Sequence, residues 1–290
     1  MRKQPRPYRQ VFYGQPVNWK HPLNRGLVSW WRVLPKFAGG LRFADLCHKN
    51  QGTLAGPAWS SPGRCSLSFD GVNDTVSIAN EVNFDFERTN AFSVSCLFRQ
   101  NNTTDTAHTL VSKRNSVAPE EGWEMSVFDG TDAGALQFGL FNNNPTNRIL
   151  VRTPIDGIGA NTWYHALATY SGSSTAAGVA IYLNGIKPTL TIVTDALSAS
   201  ILNGLSVQIG SRNNVNNFHN GHVAEAQVWN RELAAGEVFQ VYQQSLLQWP
   251  ETLNYLDGDW MLGSAAAAPG AGVGRGLTHS LRLGRLALAG

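Results

Sequence analysis

The chain reads as an all-β protein: a two-sheet antiparallel jelly-roll sandwich with one short C-terminal helix and extended termini. Three observations predict this. Short runs alternate apolar and polar residues, as in Ala91–Arg99 (AFSVSCLFR), where Phe92, Val94, Cys96 and Phe98 share one face; that period of two belongs to a strand with one buried side. The runs are punctuated by turn-forming residues, among 29 glycines and many Asn and Thr. Charged residues make up only 15 % of the chain while hydrophobic residues reach 42 %, which suits a rigid core under a neutral polar surface.

Taken in order, residues 1–25 form a basic, aromatic N-terminal arm. Four prolines, Pro5, Pro7, Pro16 and Pro22, exclude a regular helix there. Arg2, Lys3, Arg6, Tyr8, Arg9, Phe12, Tyr13 and Trp19 equip the arm to dock on a partner. A jelly-roll domain spans residues 26–248. Within it Trp163–Tyr170 (WYHALATY) and Val179–Asn184 (VAIYLN) read as paired strands, and Asn184-Gly185 reads as a hairpin turn into Ile186–Val193. Leu205–Gly210 and His222–Trp229 supply two more strands. Leu233–Leu247 places Leu233, Val238, Val241, Tyr242 and Leu246 at helical spacing, with Glu232 near its start. Residues 249–290 begin with an aromatic segment (WPETLNYLDGDWMLG) and end in a Gly/Ala-rich basic tail. No internal repeat is visible.

Charge is distributed unevenly. Nine basic residues precede the first acid, Asp45, and all 20 acids lie between Asp45 and Asp259, so the middle of the chain carries −9 against a total of +3. Two positive ends on a negative body suit docking on acidic partners, or serve only solubility. A negative body excludes specific nucleic-acid binding by the domain. No run of about 20 apolar residues could span a membrane, and the first 15 residues lack the apolar core of a secretory signal. Cys47, Cys65 and Cys96 are too few for a disulfide framework. Cys96 reads as an inert core residue, and a Cys47–Cys65 bridge is left open.

Six segments, in register, resemble the laminin-G-like domains of the concanavalin A-like lectin/glucanase superfamily. Leu67–Ile78 (LSFDGVNDTVSI) is similar to their F-D-G-x-x-D-x-V strand–turn–strand, and AFSVSCLFR to their FTVSAW strand. WYHALATYSG with VAIYLNG resembles their W-H-H-V-A-x-T-Y-D-G…L-Y-V-N-G hairpin. Gly221–Tyr242 (GHVAEAQVWNRELAAGEVFQVY) resembles their closing strand and helix. Upstream, GLVSWWRV and FADLCHKNQGTL resemble the family's opening segments. The resemblance implies a domain that binds glycans or proteins, in some members with calcium.

That resemblance frames the candidate sites. Calcium, if present, would use Asp45, Asp70 and Asp74, with Asn50 nearby; Ala224 stands where the family often has Asp. Otherwise no metal or cofactor is expected, and the same aspartates shape tight loops. Glu81, Asp85 and Glu87 in EVNFDFE are the nearest approach to a glycosidase carboxylate set, but their spacing is wrong and they precede a strand. No GxSxG elbow appears, and His165 alternates with Trp163 and Leu167 as a packing residue. No enzyme is expected. A glycan site would pair an aromatic platform, Trp123, with amides from two Asn-rich loops: Asn142 and Asn143 from one, and Asn213, Asn214, Asn217 and His219 from the other. The same asparagines also suit turns on backbone grounds alone.

Two roles emerge as expectations. The first is a non-enzymatic structural protein of a virus particle, such as a phage decoration, fibre or capsid-associated protein. It would be a homo-oligomer that contacts other virion or coat proteins through its arm and tail, and it could bind a cell-surface glycan. The alternative is a secreted or cell-surface carbohydrate-binding module, extracellular rather than virion-borne.

Overall fold

A computed structural model describes residues 17–33, 40–60, 65–102, 107–128 and 133–246. The arm residues Arg2, Lys3, Arg6, Tyr8, Arg9, Phe12 and Tyr13 and the tail from residue 247 lie outside the described residues. In chain order the strands are β1 (Leu27–Arg32), β2 (Arg42–Phe43), β3 (Gly52–Ala55), β4 (Ala58–Ser60), β5 (Ser66–Asp70), β6 (Thr75–Ile78), β7 (Phe92–Gln100) and β8 (His108–Arg114). They continue with β9 (Gly122–Phe128), β10 (Ala135–Asn143), β11 (Asn147–Arg152), β12 (Trp163–Tyr170), β13 (Val179–Leu183), β14 (Thr191–Asp195), β15 (Val207–Ile209) and β16 (Asn220–Trp229). The helix α1 (Ala235–Leu246) comes last.

Two antiparallel sheets result. One runs β13-β12-β7-β16-β5-β4, with β1 also paired to β16; the other, of nine strands, runs β14-β11-β10-β9-β8-β15-β6-β3-β2. β16 is the spine of the first sheet. One edge pairs with β7 along its length, while the other is shared between β5 at its start and β1 at its end. The alternation read from β7 holds: Phe92, Val94, Cys96 and Phe98 are fully buried between the sheets, among Trp31, Phe69, Trp123 and Phe138. Burying each such side chain contributes about 1.5–3 kcal/mol.

The outward face of the seven-stranded sheet is also apolar, and it is covered. Trp30, Leu167, Tyr182 and Trp229 pack against Val238 and Val241 of α1 and against Val17 and Leu23 of the incoming chain. Trp229 Nε1 donates to Leu23 O at 3.0 Å, and Arg231 joins Arg25 O (2.6 Å) to the Glu237 carboxylate (2.7 Å). Glu237 in turn accepts from Ala234 N at 2.9 Å and so satisfies a free donor at the start of the helix. The base of the arm and the helix are thereby fixed to one another.

The loop from β2 to β3 is built on Asp45. One carboxylate oxygen accepts from Trp30 N and Cys47 N at 2.9 and 3.0 Å, and the other from Lys49 N and Asn50 N at 3.1 and 2.8 Å. Asn50 then ties Ser29, Asn80 and Asn83 to the same loop.

Three sequence expectations need adjusting. Asn184 (φ 51°) and Gly185 (φ 76°) do form a turn, and Ile186 N returns to Leu183 O. The strand expected over Ile186–Val193 forms only from Thr191, as the start of β14, and not as the second arm of a hairpin with β13. Pro188 lacks a donor for a ladder, and the chain crosses instead to the nine-stranded sheet, where β14 pairs with β11. The strand expected at Leu205–Gly210 shortens to Val207–Ile209, and the helix to Ala235–Leu246. Cys47 and Cys65 are both free thiols. Burial, with the Asp45 carboxylate beside it, pushes the Cys47 thiol up to about 12.

His165 lies on the covered face with its ring 5.8 Å from that of Tyr242. Neither ring nitrogen finds a partner, and burial lowers its pKa to about 3. An unfolded histidine protonates near its ordinary 6.5, so between about pH 6.5 and 3 the unfolded state binds the extra proton and stability falls as pH falls. His165→Leu is expected to raise the urea midpoint, and to raise it more at pH 5 than at pH 8. A pH-independent change would show that this histidine is not held neutral.

A candidate ligand-binding cleft on the nine-stranded sheet

The outward face of the nine-stranded sheet has a different chemistry. The residues facing away from the core on β6, β15, β8, β9 and β10 include Thr75, Ser77, Gln208, Ser112, Glu124, Ser126 and Gln137, polar side chains that bond to one another across the strands. Gln208 Oε1 accepts from Thr75 and Ser77 at 2.9 and 2.8 Å, and Gln137 Nε2 donates to Ser126 Oγ at 3.1 Å. Alternation forces this: on β9, Trp123 and Met125 enter the core, so Glu124 and Ser126 must face out.

Glu124 is the electrostatic centre of the face. It is 2 % exposed and held by a two-pronged Arg212 contact, with Nε at 2.7 Å and Nη2 at 2.6 Å, and by Arg114 Nη1 at 3.2 Å. Burial alone would raise its pKa, but the Arg212 and Arg114 guanidiniums outweigh burial and hold it at about 2. Arg114 also bonds to Glu120, and its guanidinium lies 3.5 Å over the Phe141 ring. Glycine at position 139 makes room for that ring: a Cβ there would sit 2.4 Å from Phe141 Cζ. A cleft of about 450 Å³ opens beside this cluster. Its walls carry Arg114, Arg212, Arg148 and Arg152, the amides of Gln137, Asn144 and Asn217, and an apolar side of Phe128, Leu150 and Val193. Volumes of about 300–1,000 Å³ are those of small-molecule sites.

The sequence-derived glycan residues are not brought together. Trp123 is 1 % exposed, its indole in the core and its Nε1 donating to Phe84 O, so it offers no stacking surface. His219 is fully buried against Phe69, Phe98 and His108, and that burial lowers its pKa to about 3. Asn142 spends its amide on Ser200 O at 2.6 Å, and Asn143 is exposed at the end of β10. Asn213, Asn214 and Asn217 have φ of 48°, 54° and 52°, the left-handed region that asparagine tolerates, so their abundance has a backbone cause. Of the group, only Asn217 lines the cleft. Trp19 stands half exposed beside the covered face of the other sheet, with Lys49 Nζ 5.5 Å from its ring.

The carboxylates of the loops are engaged locally. Asp70 Oδ1 accepts from Val72 N and Asn73 N, and Asp74 Oδ2 from Asp70 N, while Asp45 spends both oxygens on four backbone donors. Among the described residues no three His, Cys, Asp or Glu side chains converge as metal ligands. Glu81 and Asp85 both pair with buried Lys113, at 3.0 and 2.7 Å, and Glu87 accepts from Ser200 and the backbone. No helix of the described residues is long and apolar enough to cross a membrane.

Breaking a buried ion network by removing one partner costs about 3–5 kcal/mol. Glu124→Gln is therefore expected to lower stability at pH 7 by roughly that amount. The folded pKa lies below the unfolded one, so the contribution of Glu124 is present above about pH 4.5 and lost as pH falls toward 2. The variant should lose that acid limb of the stability profile, measured by urea unfolding from pH 7 to 3.

A family model described as the concanavalin A-like lectin/glucanases superfamily, of the laminin-G type, matches residues 70–239. No curated protein matches the chain in sequence. Among solved structures, the receptor-binding domain of botulinum neurotoxin C/D mosaic serotype superposes with TM-score 0.57 at 14 % identity, over 77 % of this chain and 52 % of that one. The binding domain of Paraclostridial mosquitocidal protein 1 gives 0.56 at 17 %, over 78 % and 53 %. Trypanosoma rangeli sialidase in complex with sialic acid gives 0.52 at 14 %, over 78 % and 34 %. The chain thus spans between a third and about half of these proteins, and the likeness is one of fold. With the family model covering more than half of its length, the chain belongs to the concanavalin A-like lectin/glucanase superfamily, as a laminin-G-like domain.

Proposed function

We propose that this protein is a non-catalytic, lectin-like module whose glycan ligand enters the cleft on the outer face of the nine-stranded sheet. The observation that carries the reading is the cleft itself: about 450 Å³, lined by the apolar side chains of Leu150 and Val193 together with amides and guanidiniums. Sugars present that pair of surfaces, an apolar C–H face and a rim of hydroxyls, and the amides match the rim as both donors and acceptors. Catalysis by Glu124 is disfavoured. A general acid works with a pKa near the operating pH, and this carboxylate is held at about 2.

A structural role in a virus particle is a second reading, compatible with the first. It draws support from where the basic ends attach. Val17, at the base of the arm, and α1, before the tail, pack in one cluster outside the seven-stranded sheet, away from the cleft. Arm and tail could then hold neighbouring coat proteins or further copies of the chain while the cleft faces outward, whether on a virion or in another extracellular setting.

A glycan array probed with the full chain tests the first reading. Leu150→Trp, which fills the cleft, is expected to reduce binding of any hit at least about tenfold, or about 1.4 kcal/mol; undiminished binding would place the site elsewhere. For the second, deletion of residues 1–16, which spares Val17 and Leu23 in the cover, should shift the chain from an assembly to a monomer in size-exclusion chromatography with light scattering. A monomer with and without the arm removes the assembly role.

A further inference from the structure

Resting on the cleft reading above, we infer that the ligand is an acidic glycan whose carboxylate is received by Arg148. Two of the cleft's guanidiniums are already committed: Arg212 to Glu124, and Arg114 to Glu124 and Glu120. Arg148 is placed differently. It stands on β11 between Ile149, which enters the core, and the turn at Asn144, so its side chain lies on the cleft face. Its Nε donates to Thr194 Oγ1 at 3.2 Å and its Nη1 to Asn144 Oδ1, both neutral acceptors. No described carboxylate forms an ion pair with it, although Glu120, which accepts from Asn144 Nδ2 at 3.3 Å, is close enough to act on its charge. These two contacts hold the guanidinium in the cleft lining, bonded to neutral acceptors and in the field of a carboxylate that is itself paired with Arg114.

The surroundings make that charge effective. Glu120 pairs with Arg114 and Glu124 with Arg114 and Arg212, and the apolar side chains of Leu150 and Val193 line the cleft beside Arg148. An anion entering here meets a partly buried guanidinium, and such charge-assisted hydrogen bonds are roughly twice as strong as neutral ones. The Gln137 amide oxygen and the Asn217 side chain, both in the cleft lining, remain for hydroxyls. Residues 17–246 carry 16 basic against 17 acidic residues and are close to neutral overall.

The test uses the full chain, wild type and Arg148→Gln, with oligogalacturonate and sialyl-oligosaccharide probes. Carboxyl-reduced forms of the same probes and a sulfated neutral oligosaccharide complete the set, with binding read by calorimetry at two salt concentrations. Acid-dependent binding that weakens at least tenfold in Arg148→Gln, recovers in part in Arg148→Lys and weakens with salt supports the inference. Circular dichroism melts of each variant separate this from misfolding, since Arg148 is only partly buried. Equal binding of the carboxyl-reduced probes, blocked by Leu150→Trp but indifferent to Arg148→Gln, overturns the acidic ligand and leaves the cleft reading standing. Preference for the sulfated over the carboxylated probes overturns the carboxylate assignment. Binding insensitive to Leu150→Trp, or no binding by any probe or on the array, overturns both.

Discussion

A sheet in a two-layer sandwich can commit only one of its faces to the shared core, and the fate of the two remaining faces decides the rest of this molecule. Residues along a strand alternate strictly, so a strand that buries Phe92, Val94, Cys96 and Phe98 must turn Ser93, Ser95 and Leu97 the other way. On the seven-stranded sheet the second face carries Trp30, Leu167, Tyr182 and Trp229, and it is stable only under a cover. The helix and the segment from Val17 to Leu23 are that cover. On the nine-stranded sheet the second face is polar and needs no lid, which leaves it free to receive a ligand.

Leaving polar groups at low exposure has a cost unless each is satisfied. The hydroxyls and amides of Thr75, Ser77 and Gln208 meet it by bonding to one another. Glu124 meets it with charge. A carboxylate this buried would ordinarily take up a proton, and only the Arg212 and Arg114 guanidiniums keep it ionised. The pairing works in both directions, because the same carboxylate holds the two guanidiniums in place over the sheet, one of them against Phe141. A group so firmly ionised is a poor proton donor. The retaining arrangement of two carboxylates about 5 Å apart has no counterpart in the loop acids Glu81 and Asp85, which are spent on Lys113.

Much of the fold was legible because strand alternation is a local property. β7, β12, β13 and β16 lie where the period of two places them, and the Asn184-Gly185 turn forms where Asn and Gly can adopt positive φ. The path of the chain beyond that turn was not legible, since the partner of β14 is set by tertiary pairing with β11. The outward polar face was less legible than the core. Trp123 occupies the core-facing position of β9, whereas its neighbour Glu124 lies on the outward face, bonded to Arg114 and Arg212. A one-residue step along a strand exchanges its faces. Arg114, Glu124, Arg148 and Arg152 all lie on β8, β9 and β11 of a consecutive meander, so the outward positions of that meander did carry a readable signal. Arg212 did not, because it arrives from a loop almost a hundred residues away in sequence. The asparagines were misleading for a simpler reason: left-handed turns select them regardless of ligand.

The division of chemistry between the two outer faces bears on how binding and attachment can coexist. If the basic ends and the ligand shared a surface, an acidic glycan would compete with an acidic partner for the same cations. Here the chain leaves the described domain at Val17 and at the end of α1, both on the covered side, while Arg148 and its cleft occupy the other. Two sheets and a core of aromatic residues separate them. At physiological ionic strength, screening over about 8 Å uncouples exposed charges that far apart. The local charge of each outer face is therefore set independently of the other, and the near-neutral sum of the domain describes neither.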